Sequence, residues 1–186
     1  YRFDVMEMVK PFLTEGMTVY GEIAGYANGK PIMGTADVKA LKSKAYTKKY
    51  GKDKMVYSYG CQPDEFRFHV YRITTTRPDG SVYEYTADEV VYWCMKNGLL
   101  HPESVYHQYV FDGDYVFLKQ LVTALTERPD QLTEDYIDPS HVSEGIIVRV
   151  DSEKKDTFFL KSKSYAFKVM EGIAKEKGEV DLEEIS

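Results

Sequence analysis

The amino-acid sequence predicts an α+β protein in which antiparallel sheets are flanked by helices. The clearest strand pattern runs from Glu65 to Thr75, and the turn sequence at 77–80 lets residues 82–85 return as its hairpin partner. Capping-box spacing at 4–7 and again at 86–89 precedes apolar-periodic runs, which is typical of helix starts. Because hairpins outnumber βαβ units, we expect the sheets to be antiparallel.

The rest of the chain is predicted to alternate between short strands, helices and turns. Turn residues and apolar periodicity separate the strands from the helices. In the first third of the chain we predict a short helix after Asp4 disturbed by Pro11, a strand from Met17 to Ala24, a turn at 28–31, helix and loop at 39–54, and a strand from Met55 to Tyr59. In the middle we predict a helix from Thr86 to Gly98, a strand near 105–110, a helix at 114–127 and a loop at 129–141. A hairpin from Gly145 follows, and then an amphipathic segment at 166–175 before an acidic tail.

Alternation assigns the side chains of the 65–75 strand to two faces. Phe66, Phe68 and Val70 are expected to face the core. The other face is expected to form the wall of a pocket, since it combines polar and aromatic groups: Arg67, His69, Tyr71 and Ile73.

Length and composition indicate one domain, or one compact piece of a larger one. The chain has 186 residues, 43% hydrophobic and 29% charged, which excludes an intrinsically disordered protein. No apolar run approaches the roughly 20 residues of a membrane span, and no secretory signal opens the chain. Two cysteines form neither a disulfide framework nor a zinc set, so we expect a cytoplasmic protein without a membrane partner.

The charge is distributed unevenly. Residues 39–54 contain seven lysines and one acid, a local charge of +6, within a chain of net charge −6. This asymmetry predicts either a localised contact with an anion or a solvated basic helix face. The histidines, in contrast, show no metal-ligand spacing and are expected at the surface or in the core.

A carboxylate and two lysines mark the hairpin near the carboxy terminus. Glu144 opens a β-branched strand, and Lys161 and Lys163 lie two residues apart on the next strand, so both ammonium groups leave the same face. This combination suits a metal-bound polyphosphate, because the carboxylate can hold the cation while the lysines neutralise phosphate oxygens.

Four stretches resemble motifs of the covalent nucleotidyltransferases, which comprise DNA ligases, RNA ligases and mRNA capping enzymes. In the order of that superfamily, motifs III, IIIa, IV and V are similar to residues 19–25, 68–73, 144–149 and 160–163. The nearer resemblance is to ATP-dependent RNA ligases of the phage and bacterial kind, through Tyr-Gly-Cys at 59–61, Val-Tyr-Arg-Ile-Thr at 70–74 and Phe-Lys-Val-Met-Glu-Gly at 167–172.

The resemblance implies a three-step reaction. A lysine attacks ATP to form lysyl-AMP, AMP passes to an RNA 5′-phosphate, and an RNA 3′-hydroxyl then displaces AMP. It further implies Mg²⁺ or Mn²⁺ at Glu144, phosphate contacts from Lys161 and Lys163, adenine stacking by Tyr71, and a ribose or phosphate contact from Glu22. Arg149 is a further candidate for a phosphate contact or a structural ion pair. Lys161, Lys163 and Glu22 are thus the catalytic candidates.

The chain departs from the family at its nucleophile. No Lys-x-Asp/Asn-Gly motif precedes Val19, while Lys48-Lys49-Tyr50-Gly51 lies after motif III and 77–80 offers an arginine that cannot lose its proton. Arg72 also replaces the aspartate usual in motif IIIa of the superfamily, although Tyr-Arg at 71–72 is similar to the nearer RNA ligases. We therefore expect residues 1–186 to be the carboxy-terminal part of an adenylyltransferase domain, inactive alone, whose nucleophile lies on a preceding segment. The alternative is a non-catalytic nucleotide- or RNA-binding module derived from the same fold.

Overall fold

The structure is a computed structural model that describes residues 4–51, 54–102, 109–127, 140–152 and 155–172. Its helices are α1 Val5–Val9, α2 Lys44–Tyr50, α3 Ala87–Asn97, α4 Tyr115–Thr126 and α5 Tyr165–Met170. Its strands are β1 Met17–Ala27, β2 Lys30–Pro31, β3 Thr35–Asp37, β4 Lys54–Val56, β5 Phe66–Thr76, β6 Val82–Glu84, β7 Gly145–Ser152 and β8 Lys155–Lys163. Mixed helices and antiparallel pairs confirm the α+β class.

The chain forms two compact units. The first comprises residues 1–33, 58–104 and 151–157, and the second comprises 34–57, 105–150 and 158–186. None of the helices described in either unit has both the length and the apolar character needed to cross a membrane.

The first unit is built on a four-stranded sheet in the order β2-β1-β5-β6. Each neighbouring pair in this sheet is antiparallel. Asn28 and Gly29 connect β1 to β2, and both have positive φ (50° and 70°). Two consecutive left-handed residues form the turn whose twist matches that of the flanking strands, so Asn-Gly is the expected sequence here. The predicted turn and the predicted β5–β6 hairpin are both confirmed.

One face of this sheet packs against α1 and α3 to form the core of the first unit. Its buried members are Val9, Phe68, Val70, Ile73, Val90 and Cys94. Helix α3 begins as predicted: the Thr86 hydroxyl accepts a hydrogen bond from the Glu89 N–H, while the Glu89 carboxylate accepts one from the Thr86 N–H. It ends at Gly98 with φ of 66°, a conformation that favours glycine.

The prediction for Ile73 was wrong, because a β-bulge interrupts the alternation. Gly21 pairs with Val70 and Tyr20 with Arg72, so Tyr71 is an extra residue on β5. The bulge shifts the parity of the strand by one residue. As a result Ile73 joins Val70 on the core face, and both are fully buried.

The second unit contains the β3–β4 pair, the β7–β8 pair except for its residues within 151–157, and helices α2, α4 and α5. Aromatic contacts organise its interior: the Tyr57 ring lies 4.8 Å from that of His141 and meets Phe167 edge-on at 5.8 Å. The Val142 N–H donates a hydrogen bond to the Met55 Sδ at 3.3 Å. Each of these five residues is buried.

Several predicted boundaries differ from those observed. The strand predicted to reach Tyr59 ends at Val56, and Tyr59 instead has φ of 50°, which strand pairing does not permit. Asp4 precedes α1, but its side chain makes no capping hydrogen bond. Pro11 lies in a 3-10 turn that follows α1, as expected. The strand predicted near 105–110 and the loop predicted at 129–141 fall mainly outside the described residues, as does the end of the 166–175 segment.

Candidate functional site

A glycine at the start of β7 lets the two strands of the carboxy-terminal hairpin approach closely. Gly145 has φ of 126°, a backbone conformation that is essentially restricted to glycine. A Cβ atom at this position would overlap the Ser162 carbonyl and lie 2.8 Å from the Cα of Lys163. The Glu-Gly pair therefore places Glu144 directly beside the end of β8, where both candidate lysines lie.

Ser164 fixes the backbone at Glu144. Its N–H donates to the Glu144 carbonyl at 2.8 Å, and its hydroxyl donates to the Ser143 carbonyl at 2.6 Å. The same hydroxyl accepts a hydrogen bond from the Phe167 N–H and so caps α5. One buried serine thus connects the start of β7, the end of β8 and the following helix.

The end of α4 supports β8 as well. The hydroxyl of buried Thr126 donates to the Val122 carbonyl at 2.7 Å and accepts a hydrogen bond from the Ser162 hydroxyl at 2.8 Å, and the Glu127 carboxylate accepts a hydrogen bond from the Tyr165 N–H at 2.9 Å. Ser162 and Tyr165 flank the second candidate lysine, so these bonds hold its backbone between them.

The structure brings Glu144 and Lys161 together. The Lys161 Nζ lies 3.7 Å from the Glu144 Oε2, and the side chain of Lys161 is 55% exposed whereas that of Glu144 is 20% exposed. The carboxylate is therefore largely sheltered, while the ammonium group can reach a ligand in solvent. This arrangement places an anionic group and a cationic group within ion-pair distance of each other.

Lys163 has a different carboxylate partner. Its Nζ lies 2.7 Å from the Glu171 Oε2 and 5.6 Å from the centre of the Phe167 ring. Both contacts hold the side chain toward α5, and it is only 24% exposed. The two lysines predicted to act together are thus each paired with their own acid.

Arg149 lies on β7 with its guanidinium 5.3 Å from the centre of the Phe159 ring on β8. A guanidinium over an aromatic face is held by its electrostatic attraction to the ring. This contact is within the hairpin, which agrees with a structural role and places Arg149 in the same unit as Glu144 and Lys161.

The other two candidates lie on the sheet of the first unit. Glu22 on β1 is exposed and pairs in register with His69, whereas Tyr71 is the extra residue of the bulge on β5 and is 44% exposed. Glu22 is next to Gly21, whose partner Val70 directly precedes Tyr71. The bulge leaves the tyrosine ring exposed to solvent, since bulges commonly redirect a side chain out of the regular pleat.

Arg72, which stands where the superfamily usually has aspartate in motif IIIa, forms an ion pair with Glu84 through two hydrogen bonds. Its Nε donates to the Glu84 Oε1 at 2.9 Å and its Nη2 donates to the Glu84 Oε2 at 2.7 Å. Its guanidinium also lies 4.7 Å from the centre of the Tyr20 ring. The hydrogen bond to Glu84 raises the pKa of Arg72 above its usual value. These contacts assign Arg72 to the link between β5 and β6.

The acids near the hairpin fit a metal only in combination with a ligand. The described part of the chain has no group of three His, Cys, Asp or Glu side chains that could hold a metal ion. Glu144 by itself supplies too few ligands for a metal cage made of protein alone. It fits Mg²⁺ that one or two carboxylates share with substrate phosphates, the arrangement this ion usually adopts in nucleotide enzymes.

Three residues had not been predicted from the sequence: Ser164 and Glu171, which hold the hairpin site, and Glu84, which pairs with Arg72 in the first unit. Ser164 precedes an apolar run, which is the usual sequence signal for a helix N-cap. Glu171 and Glu84 are 8 and 12 residues from their basic partners, so no local spacing rule links the pairs.

Comparison of the chain with protein-family models, with curated proteins and with solved structures found no match in any of the three.

Proposed function

We propose that this chain is part of an ATP-dependent RNA ligase that joins an RNA 5′-phosphate to a 3′-hydroxyl through lysyl-AMP and AMP-RNA intermediates. The observation that carries the proposal is the position of Glu144 beside Lys161, 3.7 Å apart at the end of one hairpin. A sheltered carboxylate next to an exposed ammonium group suits a nucleoside triphosphate with its divalent cation. The carboxylate meets the cation, and the ammonium group meets the phosphates.

In this proposal the chain contributes binding and charge neutralisation. Lys161 contacts the phosphates, and Lys163 joins it when its ammonium group exchanges Glu171 for a phosphate oxygen. For Tyr71 and Glu22, which belong to the first unit, adenine stacking and a ribose or phosphate contact stay predictions from the resemblance. Phosphoryl-transfer catalysis consists mainly of such positioning and electrostatic stabilisation. Mg²⁺ or Mn²⁺, held by Glu144 and the phosphates, supplies further charge neutralisation when bound.

Nucleotide affinity of single variants tests the site. We expect Lys161→Ala to weaken ATP binding about ten-fold or more, with and without Mg²⁺, because it removes a charge-assisted phosphate contact. Glu144→Gln is expected to abolish the difference between ATP affinity in Mg²⁺ and in EDTA, because the amide no longer holds the cation. The measurement is isothermal titration calorimetry, with thermal unfolding of each variant to confirm that it folds.

Lys119→Ala is the matched control, since Lys119 is exposed on α4 of the same unit and away from the hairpin in sequence. It should leave ATP affinity unchanged. If the Lys161 and Glu144 variants lose stability but bind ATP like the unchanged chain, their ion pair is structural and the assignment of the site is wrong.

A second candidate function is a non-catalytic nucleotide- or RNA-binding module. It is supported by the same pair, Glu144 beside Lys161, because binding a nucleotide requires these charges but no nucleophile. Incubation with α-labelled ATP and Mg²⁺ or Mn²⁺, followed on a denaturing gel, separates the two functions. Label on the product of the complete reading frame but not on residues 1–186 supports a ligase with a preceding nucleophile. ATP binding without label on either supports the binding module, and label on residues 1–186 would identify Lys48 as the first nucleophile to test.

A further inference from the structure

The lysine-rich segment of the second unit folds into a compact basic surface. A 3-10 turn at Val38–Leu41 is followed directly by α2, and the lysines in and between them are all exposed. We call this the α2 basic surface, and it consists of Lys39, Lys42, Lys44, Lys48 and Lys49. The sequence left open whether these lysines contact an anion or only solvent.

A shallow concavity lies at the start of α2. It has a volume of about 370 Å³ and is lined by Lys42, Ser43, Lys44, Thr47 and Lys48. Three of its five lining residues are therefore cationic, and the other two carry hydroxyl groups. The charge of the three lysines favours an anionic ligand at this concavity.

Local hydrogen bonds hold the lining lysines in place. Ser43 is the N-cap of α2, its carbonyl accepts hydrogen bonds from the N–H (2.9 Å) and the hydroxyl (3.0 Å) of Thr47, and Lys42 before it has a positive φ of 44°. Lys44 and Lys48 are four residues apart and so project from the same side of the helix. The turn and the helix thus place three lysines around one concavity.

The other side of α2 carries aromatic residues. Tyr46 and Tyr50 stack with their ring centres 6.1 Å apart and an angle of 14° between the rings, and both are partly buried. This side is roughly opposite that of Lys44 and Lys48, because residues two apart on a helix are separated by about 200°. The helix is therefore amphipathic, with the cationic side toward solvent.

The segment that carries this surface is rich in lysine and poor in acidic residues. No Asp or Glu occurs from Val38 to Lys52, and the nearest preceding acid, Asp37, accepts a hydrogen bond from the Lys39 N–H as a cap. Like charges spaced by four residues on a helix repel each other and destabilise it. A polyanion that bridges Lys44 and Lys48 would relieve this repulsion.

We propose that the α2 basic surface binds the phosphate backbone of an RNA strand. The choice of RNA rests on the proposed function, whereas the preference for a linear polyphosphate rests on the concavity and the row of exposed lysines. Each phosphate neutralised by a lysine releases counterions, so binding becomes weaker as salt rises. The contact is independent of base sequence, because phosphates carry no sequence information directly.

The test uses a fluorescent single-stranded RNA with a 5′-phosphate, followed by anisotropy at salt concentrations from about 0.05 to 0.2 M. Lys44→Gln with Lys48→Gln removes two contacts while preserving helix propensity. At about 0.7 per single-strand phosphate contact, the slope of log K against log salt should become shallower by about 1.4. This change corresponds to a loss of affinity of about ten-fold at physiological salt.

Three controls make the result specific. Lys96→Gln with Lys119→Gln removes the same charge from exposed sites on α3 and α4 and should leave affinity and slope nearly unchanged. Lys44→Arg with Lys48→Arg keeps both charges and should retain RNA binding. ATP affinity of the Lys44/Lys48 glutamine variant should equal that of the unchanged chain, which separates this surface from the hairpin site.

Three results would overturn the inference. The first is an unchanged salt slope in the Lys44/Lys48 glutamine variant, and the second is no RNA binding by the chain at all. The third is an equal loss of affinity in the Lys96/Lys119 variant, which would show attraction by bulk charge. Failure of the proposed function is seen separately, as ATP affinity that does not respond to Lys161→Ala or Glu144→Gln.

Discussion

At the scale of single residues, Gly145 has the largest influence on the candidate site. Its φ of 126° and the nearby Ser162 carbonyl leave no room for any side chain. The residue immediately before it is the carboxylate that faces Lys161. A larger residue at 145 would therefore displace both the strand pairing and Glu144.

We predict that Gly145→Ala strongly destabilises the second unit. Strain at positive φ contributes about 1–2 kcal/mol, and the overlap with β8 adds about 1–3 kcal/mol. Gly34→Ala is the control, because Gly34 also has a positive φ (85°) but would have no atom within 4 Å of an added Cβ. Urea unfolding measures both variants. Equal losses of stability in the two would mean that the close approach of β7 to β8 contributes nothing.

Cys94 gives a prediction about alkaline pH. Complete burial in the core of the first unit raises the pKa of its thiol to about 11, from 9.0. Between these values the unfolded chain has lost a proton that the folded chain retains, so stability falls as pH rises. The slope approaches about 1.4 kcal/mol per pH unit.

The measurement compares the unchanged chain with Cys94→Ala between pH 8 and pH 11, a range set by the shifted thiol. Fluorescence of Trp93, the single tryptophan, follows unfolding of the first unit. The alanine variant is less stable at every pH because it leaves a cavity, yet the free-energy difference between the two proteins should shrink as pH rises. A constant difference would contradict the prediction.

At the scale of elements, β5 and β6 are joined by a two-pronged ion pair. Arg72 donates a hydrogen bond to each carboxylate oxygen of Glu84, and the two side chains are 33% and 18% exposed. Arg67 and Glu65 offer a contrast on the same strand, with one contact of 3.4 Å and greater exposure. The geometry of the hydrogen bonds and the burial of the side chains together decide how much such an ion pair contributes to stability.

We expect a double-mutant cycle with Arg72→Gln and Glu84→Gln to give a coupling energy of about 1 kcal/mol, which decreases with added salt. The same cycle at Arg67 and Glu65 should give about 0.3 kcal/mol or less. Urea unfolding at low and high salt supplies the values. Similar coupling at both pairs would show that the second hydrogen bond of Arg72 adds no stability.

Prediction at this scale succeeded where local chemistry decides the element. The capping box at Thr86, the Asn28-Gly29 turn and the glycine at position 98 each satisfy backbone groups within a few residues, so the sequence indicates them directly. Ile73 was assigned to the wrong face because the bulge at Tyr71 depends on pairing with β1, more than forty residues earlier. Alternation within one strand contains no signal for it.

At the scale of the whole molecule, the candidate residues fall into two groups. Glu22 and Tyr71 belong to the first unit, whereas Glu144, Arg149, Lys161 and Lys163 belong to the second. The α2 basic surface is also part of the second unit. The hairpin site and the basic surface are thus carried by one compact unit, which can be tested for ATP and RNA binding with independent sets of variants.

The sequence by itself determined the α+β class, most of the helices and strands, the hairpin with Glu144 and Lys161, and the uneven charge. These features depend on periodicity, caps, turns and composition, all of which are local. Only the tertiary structure decided that Lys163 pairs with Glu171, that Arg72 pairs with Glu84, and that Tyr71 leaves the regular pleat. The reason is physical: an ion pair or a bulge depends on which distant segments meet, and chain spacing alone does not specify that meeting.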